Sequence, residues 1–129
     1  MILLDTNILI EIYRDNVEIA PIVDGMQDIA VCDVVRAELF YGARNKRELQ
    51  EISTDLKAIA ILPILPQITE MAVNFVKTYC LSHKLEFADA LIAATAIFHN
   101  KELYTLNRKD FKFIPNLKLF ESNSSTKAK

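Results

Sequence analysis

Short apolar runs alternate with stretches of helical periodicity along nearly the whole of this chain, and that alternation constrains its fold more than any other feature. Residues 1–4, DIAVCD at 28–33, ILPIL at 61–65, LYTL at 103–106 and KLF at 118–120 have the length and apolar content of buried strands. Between them, apolar residues recur at helical spacing over 7–13, 17–23 (closed by Gly25), 34–43, 46–60, 67–81 and 88–99. Strands separated by helices need crossover connections, and strands that are apolar throughout have no face to offer water. The pattern therefore predicts an α/β fold with a central parallel sheet flanked by helices on both faces. Pro63 cannot donate a ladder hydrogen bond, which assigns ILPIL to an edge. The segment 88–99 is apolar nearly all round and reads as a central buried helix.

At 129 residues with 51% hydrophobic residues, the chain is sized for one domain with its own core. No repeat or internal linker divides it, so the domain is expected over 1–120, with a disordered tail over 121–129 that lacks apolar anchors. Cys32 and Cys80 have no metal-type spacing and follow apolar patterns, so both are expected as buried thiols in a reduced cytoplasmic setting. The first residues lack a basic flank, and no apolar run has the length of a membrane span.

Four acids stand where such a sheet would present them at one edge. Asp5 lies where the first strand ends and the first helix begins, Glu38 lies one turn into the helix after the second strand, and Asp110 follows LYTL. Asp89 opens the buried helix. Asp5 and Asp89 have an ordinary explanation as helix caps and Asp110 as a partner of Lys109 or Lys112, whereas Glu38, beside Leu39 and Phe40, is the least comfortable as mere structure. Together they are better explained by convergence at the carboxyl edge, where open α/β sheets hold ligands. Converging carboxylates raise one another's pKa unless a cation is present, and Mg²⁺ or Mn²⁺ accepts oxygen ligands while keeping waters. Such ions serve phosphodiester hydrolysis by activating water and stabilising the leaving oxygen. Other chemistries lack their parts. Gly25 and Gly42 are isolated, so there is no phosphate loop, and His83 and His99 have no zinc spacing and read as solvated or core-edge residues. A phosphatase of the haloacid-dehalogenase type would need an acid where Asn7 stands.

The net charge of −2 gives no overall basic footprint for nucleic acid. Local excesses exist around Arg36, Arg44, Lys46 and Arg47, and between Lys101 and Lys118; solvated helix faces explain them as readily as a binding surface does.

The segments LLDTNILIEIYRD, VVRAELFYGA, FADALIAATAIFHN and LYTLNRKDF, in this order and spacing, resemble a PIN-domain ribonuclease of the VapC toxin type, from type II toxin–antitoxin systems. The likeness spans 1–120. It implies an endoribonuclease that depends on Mg²⁺ or Mn²⁺, cleaves RNA to a 3′-hydroxyl and a 5′-phosphate, forms a homodimer and is blocked by a cognate antitoxin. It implies that Asp5, Glu38 and Asp89 are the acidic metal ligands, with Asn7 supporting a carboxylate from behind. The fourth position departs from the pattern: many relatives carry Asp where this chain has Asn107, and the nearest acid is Asp110. Asn107 is expected to orient a water and Asp110 to complete the catalytic set. The segments 11–23 and 47–60 are expected to line an antitoxin groove. A non-catalytic RNA- or protein-binding module on the same fold is the alternative.

Overall fold

The computed structural model describes residues 1–122. Five parallel strands, β1 (Ile2–Leu4), β2 (Ile29–Cys32), β3 (Ala60–Leu62), β4 (Glu102–Tyr104) and β5 (Lys118–Leu119), pair in the order β3-β2-β1-β4-β5. Leu3, on the central strand, sits opposite Ala30 on one side and Leu103 on the other, and all three are fully buried. The helices are α1 (Thr6–Tyr13), α2 (Ile19–Asp24), α3 (Asp33–Tyr41), α4 (Lys46–Leu56), α5 (Pro66–His83) and α6 (Phe87–Phe98), followed by a 3₁₀ turn at Arg108–Asp110.

This strand order has one consequence for function. The chain steps from β1 to β2 to β3 in one direction, then α5 and α6 carry it back to the far side of β1. Right-handed crossovers running in opposite directions lay their helices on opposite faces of the sheet. The reversal falls between β1 and β4, so a crevice opens outside the carboxyl ends of these two strands. Asp5 directly follows one of them and Thr105 the other.

The elements match the expected pattern except at particular ends. β3 takes Ala60 from the expected helix and stops before Pro63, while α4 ends at Leu56. The proline thus bounds the strand instead of sitting inside it, and β3 does form an edge. Pro66 begins α5, where its missing N–H costs nothing. Cys32 is buried, but Cys80 is exposed, contrary to expectation. On α5 the inward stripe is Ile68, Met71, Ala72, Phe75, Val76 and Tyr79; Cys80 and Leu81 turn past it towards solvent. Glu121 and Ser122, assigned to the tail by sequence, are tied down: Glu121 pairs with Arg108 at 3.3 Å, and Ser122 is buried and bonded to Tyr104. Residues 123–129, where the rest of the expected tail falls, lie outside the described residues.

The expected central helix is α6. Ala90, Ala93, Ala94 and Ala96 are fully buried, and the helix packs along α5 and against β4. Small side chains permit that close approach, which leaves no room for growth at these positions. Ala93→Leu is therefore expected to destabilise the protein by about 1–3 kcal/mol. Urea unfolding should show a lower midpoint with an unchanged slope, and an unaltered midpoint would mean that α6 is less tightly enclosed than described.

Candidate active site

The site is built outward from Asp5. Its backbone N–H donates to the Tyr104 carbonyl at 2.9 Å, extending the β1–β4 ladder one residue beyond the strands. Its side chain, only 6% exposed, accepts from the Thr6 N–H at 2.8 Å, the Thr105 hydroxyl at 2.7 Å and the Asn7 amide at 3.2 Å. Asp5 is thus the N-cap of α1 and an acid at the sheet edge at once, so the two sequence readings do not compete. Asn7 reaches the β4 side as well: its amide donates to Thr105 at 3.3 Å and its carbonyl accepts from the Leu106 N–H at 3.1 Å. The Asn107 N–H donates to the Thr105 hydroxyl at 3.0 Å. Asp5, Asn7 and Thr105 therefore stitch the two sides of the crevice together.

The remaining acids arrive from other elements. Glu38 stands exposed on the second turn of α3, where the Thr6 hydroxyl donates to its Oε1 at 2.6 Å. Asp89 is half-buried in the first turn of α6. It does not cap that helix: Glu86 holds the cap position and makes no side-chain capping bond. Asp110 closes the 3₁₀ turn, exposed, with its N–H donating to the Asn107 carbonyl at 3.0 Å. The expected helical turn after Asn107 is therefore a 3₁₀ turn, in which positions three apart lie one above the other. The Asn107 side chain is exposed and makes no capping bond to the turn.

The charges of these groups act on one another. The Asp89 carboxyl is pushed up to about 6, first by burial and then by the negative charges of Asp5, Glu38, Asp110 and Glu86. Asp5 is also raised, chiefly by burial and in part by Glu38, while the bonds from Thr105, Thr6 and Asn7 pull against the rise. The other three acids named from sequence, Asp5, Glu38 and Asp110, thus lie within electrostatic reach of Asp89. Glu86 is a fifth that sequence reasoning missed, although its place three residues before Asp89 on a helix start was a readable signal. Thr6 and Thr105 were missed too, since neither carries a local signal until strands β1 and β4 are placed side by side. His83 and His99 stay apart from the cluster: His83 is exposed at the end of α5, and His99 is half-buried with an Nε2 that has no partner.

The groups around Asp5 and Asp89 present hard oxygen donors. Among the described residues no three acids, histidines or cysteines stand close enough to enclose an ion unaided. That open set suits Mg²⁺ or Mn²⁺, which are commonly held by one or two carboxylates with waters and substrate phosphate oxygens making up the rest.

A parallel five-stranded sheet with acids gathered at its switch point defines the class, and the chain belongs to the PIN domain family, whose model matches residues 2–116. Over 122 residues it is 30% identical to the ribonuclease VapC19 of Mycobacterium tuberculosis, covering 91% of this chain and 97% of that one. Among solved structures it is similar to a toxin–antitoxin complex from Klebsiella pneumoniae, with a TM-score of 0.79, 31% identity, and 95% and 100% of the two chains covered. It is likewise similar to VapBC2 of Rickettsia felis bound to a promoter DNA fragment, with a TM-score of 0.70, 30% identity, and 93% and 98% covered.

The raised carboxyls make a stability prediction with a definite sign. An acid whose folded pKa exceeds its unfolded value keeps its proton while the unfolded chain ionises, so stability falls as pH rises from about 4 to about 6. Without divalent ions, the wild type should melt at a lower temperature at pH 7.5 than at pH 5. Asp89→Asn should lose much of that slope and gain on the order of 1 kcal/mol at pH 7.5, after allowance for the solvent at this half-buried group. Thermal melts at the two pH values check this, and identical slopes in wild type and variant would contradict a raised Asp89 carboxyl.

Proposed function

We propose that this protein is a metal-dependent endoribonuclease, the toxin of a type II toxin–antitoxin pair, acting in the cytoplasm as a homodimer. The observation that carries the reading is that Asp5, Glu38 and Asp110, brought from separate elements, act electrostatically on the half-buried Asp89. The likeness to a ribonuclease over nearly the whole of both chains supports the same chemistry. Likeness to toxin–antitoxin complexes supports a protein partner that restrains it.

Asp5 and Asp89 would hold Mg²⁺ or Mn²⁺, with Glu38 contributing from α3. Such an ion, when bound, neutralises the phosphate and lowers the pKa of water. The chain's own residues prepare the rest. Thr6 holds one oxygen of Glu38, leaving the other free to orient the attacking water and accept its proton. Thr105 and Asn7 fix Asp5, so its carboxylate needs no reordering when substrate arrives. Attack of water on phosphorus breaks the bond to the 3′ oxygen, which takes up a proton; the products are a 3′-hydroxyl and a 5′-phosphate. Asp110 supplies the charge that Asn107 lacks, and Asn107 offers a carbonyl and an amide for orienting water.

The antitoxin groove proposed is the cleft of about 530 Å³ between α1 and α4, lined by Ile10, Tyr13, Leu39 and Ile52 and bordered by Glu38. A segment lying there would reach an acid of the site while burying apolar residues.

Asp5→Asn and Asp89→Asn should each lower RNA cleavage by at least about 100-fold while the protein stays folded, and chelation should abolish wild-type cleavage. Cleavage that persists in chelator would refute the metal reading, and a folded wild type that cuts no RNA would favour the binding-module alternative. Asp110→Asn should weaken cleavage in a way that excess Mn²⁺ partly restores, whereas Asn107→Asp should be tolerated. Full activity in Asp110→Asn would reduce the site to three acids.

A further inference from the structure

An acidic crevice repels the substrate proposed for it. RNA carries a charge at every phosphate, and the acids at the switch point contribute only repulsion until an ion is bound. Affinity must therefore come from neighbouring surface. The arginines do not provide it freely: Arg14, Arg36, Arg44, Arg47 and Arg108 are each paired with an acid. The lysines are different. Among the described residues none lies within ion-pair distance of an acid, and three stand beside acids of the site in the chain: Lys84 two residues before Glu86, and Lys109 and Lys112 on either side of Asp110. All three are exposed.

Next to Lys84 and Lys112 in the chain stand the two rings of an aromatic pair that the catalytic reading does not use. The His83 ring stacks on Phe113 with centroids 3.9 Å apart and planes 13° from parallel, and Tyr79 packs edgewise against both. His83 is exposed, while Phe113 and Tyr79 are half-buried. The stack thus has a supported side and an open side. Its position is fixed by chain length: His83 is three residues from Glu86 and Phe113 three from Asp110, so each Cα lies within about 10 Å of an acid that acts on Asp89. Lys84 follows His83 directly in the left-handed conformation that ends α5, with φ 55°. The Ser82 hydroxyl lies 2.8 Å from His83 Nδ1 and limits the turning of the ring.

An exposed ring backed by a second ring, with free cations on both sides, has the composition of a single-stranded nucleic-acid platform. Bases stack on aromatic faces with little regard to sequence, and lysines track the backbone. We infer that His83, backed by Phe113 and flanked by Lys84, Lys109 and Lys112, forms a ledge that stacks a base of single-stranded RNA beside the acidic crevice. The inference rests on the ribonuclease reading for its substrate class. The ledge positions RNA and takes no part in the chemistry.

The test uses the full chain carrying Asp5→Asn, which does not consume its ligand, and a fluorescently labelled single-stranded RNA pool of random sequence about 15 nucleotides long. His83→Ala should weaken binding about tenfold, whereas His83→Phe, which keeps a stacking ring, should bind within about twofold of the parent. Replacing Lys84, Lys109 and Lys112 with alanine should lower the slope of log affinity against log salt by about 2. In the otherwise wild-type enzyme, His83→Ala should raise KM far more than it lowers kcat, a split that mere loosening of the fold would not produce. Unchanged RNA affinity in His83→Ala together with an unchanged salt slope in the lysine variant would overturn the ledge. So would loss of antitoxin binding in these variants with RNA binding intact, which would assign the surface to a protein. Failure of the ribonuclease reading looks different: the wild type would cut no RNA, whatever the His83 variants bind.

Discussion

Everything in the site hangs on a buried carboxylate at the point where the sheet reverses direction. Asp5 accepts hydrogen bonds from Thr6, Asn7 and Thr105, and the last of these crosses from β1 to β4. A carboxylate with so little exposure would be costly to ionise without such donors. The donors in turn are placed by the backbone: the Asp5 N–H on the Tyr104 carbonyl sets the register that brings Thr105 within reach. Stability and function therefore draw on the same contacts, and the crevice exists because two strands that meet there leave in opposite directions.

The acids around Asp5 illustrate how a fold assembles chemistry that no short segment contains. Glu38 comes from α3, Asp89 and Glu86 from the start of α6, and Asp110 from the turn after β4. In the free protein they repel, and burial first, then that repulsion, pushes Asp89 up to about 6. Under the proposed metal-dependent reading, a divalent ion would convert this cost into affinity, because the same charges that oppose one another would attract the ion. The exposed His83–Phe113 stack and its lysines complete the arrangement outside the crevice, separating the groups that would hold the strand from those that would cut it.

Some of this was legible in the residues alone. Alternating strand and helix patterns imply a parallel sheet because crossovers are the only way to join such strands, and the buried α6 follows from its apolar surface all round. Asp5 and Asp110 could be assigned to an edge because each follows a strand. Other points were out of reach. Cys80 has apolar neighbours in sequence, yet it faces solvent because the inward stripe of α5 is narrow. Pro63 was placed inside a strand it actually ends, since a run of apolar residues does not show where the ladder stops.

The sequence by itself determined the fold class and singled out Asp5, Glu38, Asp89 and Asp110 as candidates, because periodicity and residue chemistry are local properties. Only the tertiary structure decided that Thr6 holds Glu38, that Thr105 holds Asp5 and that Glu86 joins the cluster. Those pairings depend on strand order and register. Contacts between residues 32 and 100 positions apart leave no trace in either local pattern.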